Sequence, residues 1–194
     1  MIVMKRLFIL FGLLVFVSFS SQMKAQTFAV KTDALKWATL SFNVEPEVKV
    51  GTRSTLALGL SWNPWTFSEN KKWKHLLVQP EYRYWLCQPF NGHFFGVHPL
   101  YMRFNAGNVD VPFGLADDLK NSRVQGNLWG AGIGYGYHWM LSNRWSLEAE
   151  VGLGVIYADY DKYECPTCGD HLGSYTKTRF APTKLSVSFI YFIK

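Results

Sequence analysis

The feature of this sequence that most constrains its fold is an alternation of apolar with polar or small residues, repeated eight times from residue 27 onward. In the last copy, Leu185, Val187 and Phe189 alternate with Ser186 and Ser188. Because successive side chains of a strand point to opposite sides, this period predicts strands with one apolar and one polar face. Each copy has about the 9–11 residues that a tilted strand needs to cross a bilayer.

The first 25 residues have the pattern of a cleaved secretory signal peptide. Lys5 and Arg6 precede an apolar run over residues 7–19, and Ala25 is a small residue before a cut at Gln26. The run is too short for a membrane-spanning helix and has the flanks of a signal peptide. We therefore predict a signal peptide over residues 1–25 and one mature domain over residues 26–194.

The basic charge balance does not indicate nucleic acid as a partner. The chain carries a formal charge of +6, and three of its basic residues (Lys5, Arg6 and Lys24) lie in the predicted signal peptide, which contains no acidic residue, so the mature charge is +3. A positive charge of this size is no argument for binding a polyanion.

The connections between the predicted strands alternate in length. We predict strands over residues 27–36, 40–50, 55–64, 74–86, 93–106, 126–139, 145–159 and 181–193. Tight turns are expected at residues 51–54, 88–92 and 140–144. Longer connections are expected at residues 64–73, 107–125 and 160–180, and residues 37–39 form a short connection of the same set. Outer-membrane barrels have short periplasmic turns and longer external loops. This predicts an all-β, eight-stranded antiparallel up-and-down transmembrane β-barrel in the outer membrane of a Gram-negative bacterium, with both termini periplasmic.

Aromatic and charged residues separate this prediction from a soluble lipocalin-like barrel, whose apolar face points inward. Two aromatic girdles are expected, one at the long connections (Trp37, Trp62, Trp65, Trp73, Trp129 and Tyr157) and one at the tight turns (Trp85, Trp139, Trp145 and Tyr191). The charged residues on the non-apolar phase are Lys31, Asp33, Glu45, Glu47, Lys49, Glu81, Arg83, Glu148 and Glu150. Because charge in a narrow interior must be paired, we predict a salt-bridged lumen without a conducting pore.

A stripe of glycines lies on one phase of the sixth predicted strand, at positions 130, 132, 134 and 136. Glycine weakens a strand, so the stripe is expected to make room for something bulky. We interpret it as space for Arg83, Lys31 or Lys49 to fold towards a glutamate. The alternative is a groove or a hinge for opening.

Several motifs together resemble one known family. They are KTD at residues 31–33, NPWTF at 63–67, KWKH at 72–75, QPE at 79–81, FNGHF at 90–94, GAG at 130–132, YGY at 135–137, RWSLE at 144–148, DYDKYECPTCG at 159–169 and PTK at 182–184. The combination resembles the uncharacterised outer-membrane-type barrels of domain of unknown function 3575. The resemblance implies an eight-stranded barrel with no established activity. Genes of this kind often lie near surface-fimbria genes, which favours a surface or assembly role. Asp33 departs from the Asn of that family, which should change only a hydrogen bond in the lumen.

The most specific short motif is the pair Cys165 and Cys168, with His171 close by. In an exported chain a local disulfide is the favoured interpretation. A zinc site formed by Cys165, Cys168 and His171 is a weaker alternative, because zinc needs four ligands. Free thiols or redox chemistry are the third possibility. Cys87 is expected to be a buried single thiol.

No pattern in the chain predicts a cofactor-binding or catalytic residue. The five histidines are scattered, and none has a hydroxyl partner at a recognisable spacing, although a Ser–His pair could form in space. The leading hypothesis is a non-enzymatic barrel whose external loops bind or stabilise surface or fimbrial proteins. The alternative is a hydrolase acting on outer-membrane lipid such as lipid A. The basic cluster at residues 70–75 is either a contact for lipopolysaccharide phosphates or a solvated loop.

Overall fold

The computed structural model describes residues 28–66, 72–107, 123–164 and 171–193. The elements in chain order are β1 Phe28–Asp33, α1 Ala34–Ala38, β2 Phe42–Lys49, β3 Ser54–Asn63, β4 Lys72–Trp85, β5 Gly92–Gly107, β6 Arg123–Met140, β7 Trp145–Tyr163 and β8 His171–Ile193. The predicted all-β fold with eight antiparallel strands in one sheet is confirmed. The predicted signal peptide, residues 1–25, lies outside the described residues.

Each strand pairs with its neighbours in the chain, and the first strand also pairs with the last. Phe28 lies opposite Ile193 and Asp33 lies opposite Ser188, so the sheet closes into a barrel. The described chain therefore begins and ends on the rim that carries the tight turns. Among the described residues, no helix has the length and apolar character needed to cross a membrane.

The alternating faces of the strands take opposite positions in the barrel. Large apolar residues point outward and are exposed, such as Ile133 at 70% and Leu185 at 65% of their surface. Charged residues of the other phase point inward and are fully buried, such as Glu47 and Arg83. The barrel thus has an apolar outside and a charged inside, the reverse of a soluble protein.

Apolar clusters close the interior at both ends. At the tight-turn end, Trp85, Phe90, Phe94, Ile190 and Phe192 pack together with Ala29. At the other end, Ala106 and Val124 form a second cluster with Trp73, Phe104 and Tyr160. The buried charged residues lie between these two layers.

Backbone hydrogen bonds and one glycine define the tight turns. The amides of Val50 and Gly51 both donate to the carbonyl of Ser54, and the amides of Leu141 and Ser142 both donate to that of Trp145. Gly92 has a φ of +76°, a conformation that a residue with a Cβ rarely adopts. These turns match the short connections predicted from the sequence.

The first predicted strand is too long, because its last residues form helix α1. The Asp33 side chain accepts a hydrogen bond from the Leu35 amide at 3.0 Å and so caps this helix. An N-terminal Asp satisfies an amide that has no partner within the helix. The helix ends at Ala38, and the chain returns through residues 39–41 to β2.

The predicted connection over residues 160–180 is also wrong, because much of it is strand. β7 continues to Tyr163, and β8 already begins at His171. Aromatic pairs join the two strands, with ring centroids 6.0 Å apart for Tyr160 and Tyr175. Such cross-strand pairs stabilise a hairpin whose charged, polar sequence suggests a loop. Strand length increases around the barrel from 6 residues in β1 to 23 in β8.

Candidate functional site

The barrel interior contains a cluster of charged side chains centred on Arg83. Its Nη1 donates to Glu47 Oε2 and Glu148 Oε1, both at 2.9 Å. Its Nη2 donates to Glu45 Oε1 and Glu150 Oε2 at 2.8 Å and to Glu81 Oε2 at 3.0 Å. One guanidinium thus binds five carboxylates from three strands, which its planar set of donors makes possible.

Two lysines complete this cluster, which we call the lumen cluster. Lys31 donates to both oxygens of Glu148 at 2.8 Å and also pairs with Glu47. Lys184 lies 3.1 Å from Glu150 and 3.3 Å from Glu45, and it also pairs with Glu81. The lumen cluster therefore consists of five glutamates, two lysines and one arginine.

Lys184 is the member that the sequence prediction missed. It lies on the inward phase of β8, the phase of Ser186 and Ser188, and this signal was available in the sequence. The β7–β8 register breaks between Gly152 and Leu153, so Thr183, the residue before Lys184, has no directly paired residue on β7. The partners of Lys184 come from β2, β4 and β7, and their proximity cannot be read from a strand pattern alone.

Two of the nine predicted lumen charges do not belong to the cluster. Lys49 is exposed, because it is the last residue of β2 and lies at the rim. Asp33 is buried at the opposite end of β1, where its carboxylate binds the amides of Leu35 and Val187. Since Asn caps helices as well as Asp does, an Asn at this position should make the same contact with the Leu35 amide.

The glycine stripe of β6 makes room for other side chains than Arg83, Lys31 or Lys49. A Cβ on Gly136 would collide with the ring of Phe94. A Cβ on Gly134 would lie 2.6 Å from Glu150 Oε1, and one on Gly132 would lie 2.8 Å from His98 Nε2. Arg83 instead lies over the Phe94 ring, 4.7 Å from its centroid.

Most of the predicted girdle residues lie on the outer surface of the described barrel. The exposed ones are Trp37, Trp62 and Trp65 near the long connections, Trp139 and Trp145 near the tight turns, and the paired Trp129 and Tyr157. This last pair lies six residues inside the outer ends of β6 and β7. The Tyr191 ring packs against Trp145, with centroids 4.9 Å apart. Trp37, Trp62 and Trp65 also line an apolar surface groove of about 830 Å³.

Two tryptophans were assigned wrongly to the girdles. Trp85 is fully buried, and its Nε1 donates to Thr55 Oγ1 at 2.9 Å. Trp73 packs against Ala106 and Val124. Both share the inward phase of β4 with Glu81 and Arg83, so their position in the alternation, rather than their aromatic character, decides where they point.

The cysteine motif remains untested, since Cys165 and Cys168 lie outside the described residues. His171 is exposed, and its Nε2 lies 3.3 Å from Asp161 Oδ1, to which Ser174 Oγ donates at 2.6 Å. These contacts, that of Ser174 first, hold the pKa of Asp161 below its usual value. Cys87 is exposed, not buried as expected, because it lies in the turn after β4.

The structure brings together one Ser–His pair that sequence spacing does not reveal. Ser61 Oγ lies 3.3 Å from His75 Nε2. Ser61 is buried, and both residues lie on the inward phase of β3 and β4. The other residues of the basic cluster around His75 are only partly described, and Lys74 is exposed.

Comparison with known proteins gives a family but no activity. A family model described as "Protein of unknown function (DUF3575)" matches residues 9–193. No curated protein and no solved structure matches the chain. The resemblance predicted from the sequence motifs is confirmed over nearly the whole chain. This chain belongs to the DUF3575 family.

Proposed function

We propose that this protein is a non-conducting outer-membrane β-barrel that anchors a projecting β-sheet for binding surface partners. The observation that carries the proposal is the reversed polarity of the closed barrel. Val97, Ile133 and Leu185 are more than half exposed on the outside, whereas the lumen cluster is buried inside. Lipid stabilises such an exterior and water does not. The signal-like residues 1–25 support export to this membrane.

The exposed aromatic residues support lipid as the surroundings of the barrel. Trp139 and Trp145 lie at the tight-turn ends of β6 and β7, and Trp62 lies at the opposite end of β3, as expected at the two interfaces of a bilayer. The paired Trp129 and Tyr157 lie where β6 and β7 would leave the membrane. The apolar groove beside Trp62 and Trp65 would then face outer-leaflet lipid, the environment that also contains lipopolysaccharide. The filled interior supports a structural role, because Arg83 and its partners occupy the space through which ions would have to pass.

The lengths of the last strands support a binding role outside the membrane. A strand crosses the bilayer in about 9–11 residues, whereas β7 has 19 and β8 has 23. Their outer parts therefore project on the side of the long connections. Within the described chain, residues 171–186 of β8 pair with β7 only, since pairing with β1 begins at Ser188.

The edge of β8 that no described strand pairs with suits a protein partner with an extended segment. A strand edge offers unpaired amides and carbonyls to which another strand can be added. Leu172 and Tyr175 are exposed on the projecting part and would give apolar contacts. Surface proteins, including fimbrial subunits, are the class of partner that we propose.

Photo-crosslinking in the producing bacterium tests this binding role. A crosslinking residue at Tyr175 should capture a surface protein, and one at Tyr82, exposed near the tight-turn end of β4, should not. The captured partner should be an outer-membrane or fimbrial protein by mass spectrometry. Equal crosslinking at both positions, or none at Tyr175, would argue against a binding role for the projecting strands.

An enzyme acting on outer-membrane lipid is the second candidate, and the Ser61–His75 contact is the observation that favours it. A histidine can activate a serine at hydrogen-bond distance. The pair faces the barrel interior, however, whereas the acyl chains of lipid would lie outside. Lipid A profiling of a Ser61→Ala strain should give the wild-type pattern. Altered acylation in that strain would support the enzyme instead.

A further inference from the structure

Glu81, Glu150 and His98 meet inside the barrel although they come from three different strands. Each offers one ligand atom, and the three atoms lie within 4.8 Å of one another. All three residues are at least 97% buried. We propose that they form a binding site for one divalent transition-metal cation of the Zn²⁺ class. The site lies in the interior, so the proposal does not depend on where the barrel is located.

Unpartnered atoms at this position carry the proposal. Glu81 Oε1, Glu150 Oε1 and His98 Nδ1 are buried without any hydrogen-bond partner in the described structure. A buried polar atom without a partner is costly, and only a few occur in a native protein. Eight buried side-chain atoms of the described residues lack a partner, and three of them belong to the three residues that converge, which points to a missing cation at this position.

The remaining polar atoms of these side chains are held in place. Arg83 Nη2 donates to Glu81 Oε2 and to Glu150 Oε2, and Lys184 pairs with both carboxylates as well. His98 Nε2 lies 2.8 Å from Thr183 Oγ1. Each residue therefore has one atom fixed by a neighbour and one atom free. Metal ligands are oriented in this way by outer-shell partners.

Glycines provide the space in which the free oxygens lie. Gly96 of β5 and Gly134 of β6 are directly paired. A Cβ on Gly96 would collide with Glu81 Oε1, and a Cβ on Gly134 would lie 2.6 Å from Glu150 Oε1. A Cβ on Gly152 would lie 2.9 Å from His98 Cε1. The glycine pattern thus keeps room for the three proposed ligands.

The charge of the lumen cluster also favours a divalent cation. Its five carboxylates, Glu45, Glu47, Glu81, Glu148 and Glu150, face the three cations Lys31, Arg83 and Lys184. With His138, which lies 3.2 Å from Glu148, counted as neutral, this leaves a formal excess of two negative charges. Uncompensated charge in a buried site is strongly unfavourable. One divalent cation would balance this excess.

The ligand types indicate the class of metal. Imidazole nitrogen suits zinc and its neighbours in the first transition row, whereas Mg²⁺ and Ca²⁺ prefer oxygen ligands alone. Imidazole and carboxylate are both ligand types of zinc, and three is the number of protein ligands in zinc sites that keep a fourth position open. Zn²⁺ is therefore the probe of choice, with Co²⁺ as its spectroscopic substitute.

Metal analysis of the folded protein tests the site. Protein purified in detergent from zinc-supplemented cells, and then dialysed against a weak chelator, should retain one Zn²⁺ per chain. His98→Gln and Glu150→Gln should each lower Zn²⁺ affinity at least about tenfold, since loss of an outer-shell partner alone costs about 10–100-fold. Co²⁺ bound to the wild type should give visible absorption bands that both variants lose.

His93→Gln is the matched control, because His93 is on the same strand but exposed on the outside. It should bind Zn²⁺ like the wild type. The same measurement on the Cys165→Ser, Cys168→Ser protein excludes zinc at the cysteine motif and decides the proposal even if a ligand variant does not fold. Folded protein of this kind without stoichiometric metal would overturn the proposal and would leave a proton shared between Glu81 and Glu150 as the compensation. Unchanged Zn²⁺ affinity in folded His98→Gln protein would overturn it as well.

Discussion

At the scale of single residues, the interior depends on Arg83 more than on any other cation. It binds Glu45, Glu47, Glu81, Glu148 and Glu150, whereas Lys31 and Lys184 each pair with three of these carboxylates. The guanidinium is fully buried, so water cannot replace it. Its removal would leave five buried carboxylates with two lysines.

Replacing Arg83 by Met should lower the free energy of unfolding by about 3–5 kcal/mol, the cost of removing one partner from a buried ion pair. The measurement is urea unfolding of the protein in detergent micelles. Arg103→Met is the control, because Arg103 is exposed on β5. Equal stability of the two variants would mean that the remaining charges compensate without Arg83.

Residue type and strand phase predicted seven of the eight members of the lumen cluster, because alternation alone places them on one face. The pattern could not show which of them touch, since contacts between β2, β4, β7 and β8 depend on register and closure. The same limit hid His98, which points from β5 into the barrel interior, between the outward-facing Val97 and Pro99. Trp73 and Trp85 were misplaced because residue type was preferred over phase.

At the scale of elements, the ends of strands near the long connections were the least predictable part. Asp33 ended β1 early by capping α1, a local hydrogen bond that competes with strand pairing. The outer parts of β7 and β8 have the charged, polar composition of a loop, yet they pair through to Tyr163 and His171. Pairing with a neighbouring strand decided their structure, and composition did not.

The hairpin formed by β7 and β8 should stay folded without its two cysteines. The double variant Cys165→Ser, Cys168→Ser should leave the barrel intact, since a short disulfide loop constrains the unfolded chain only slightly. The same variant should raise protease sensitivity between the two strands. Mass spectrometry of unreduced wild type should find the pair two hydrogens lighter than its reduced form. Stoichiometric zinc lost from the double variant would instead assign this motif to metal binding.

At the scale of the whole molecule, the barrel is asymmetric. The strands lengthen from β1 to β8, so one side of the barrel is tall and the other is short. In the function that we propose, the apolar band around the outside would lie in the membrane, and the tall side would rise above it. The proposal thus gives anchoring to the band and partner binding to the projecting strands.

A charge in the apolar band should therefore cost more than the same charge on the projecting strands. Val151→Arg should destabilise the barrel in lipid by about 2–4 kcal/mol, the cost of an arginine facing lipid near the middle of the bilayer. Thr176→Arg, on the exposed outer part of β8, should cost little. Urea unfolding in lipid vesicles measures both. Similar losses for the two variants would contradict the assignment of the band.

The most direct test of the membrane account is the depth of single positions in a bilayer. The protein, with its own cysteines replaced by serine, is labelled with a fluorophore at Val151→Cys or at Leu172→Cys and folded into vesicles of lipids brominated in mid-chain. The account predicts strong quenching of the label at position 151 and little quenching at position 172. Equal, weak quenching at both positions, from protein that stays soluble without detergent, would contradict it.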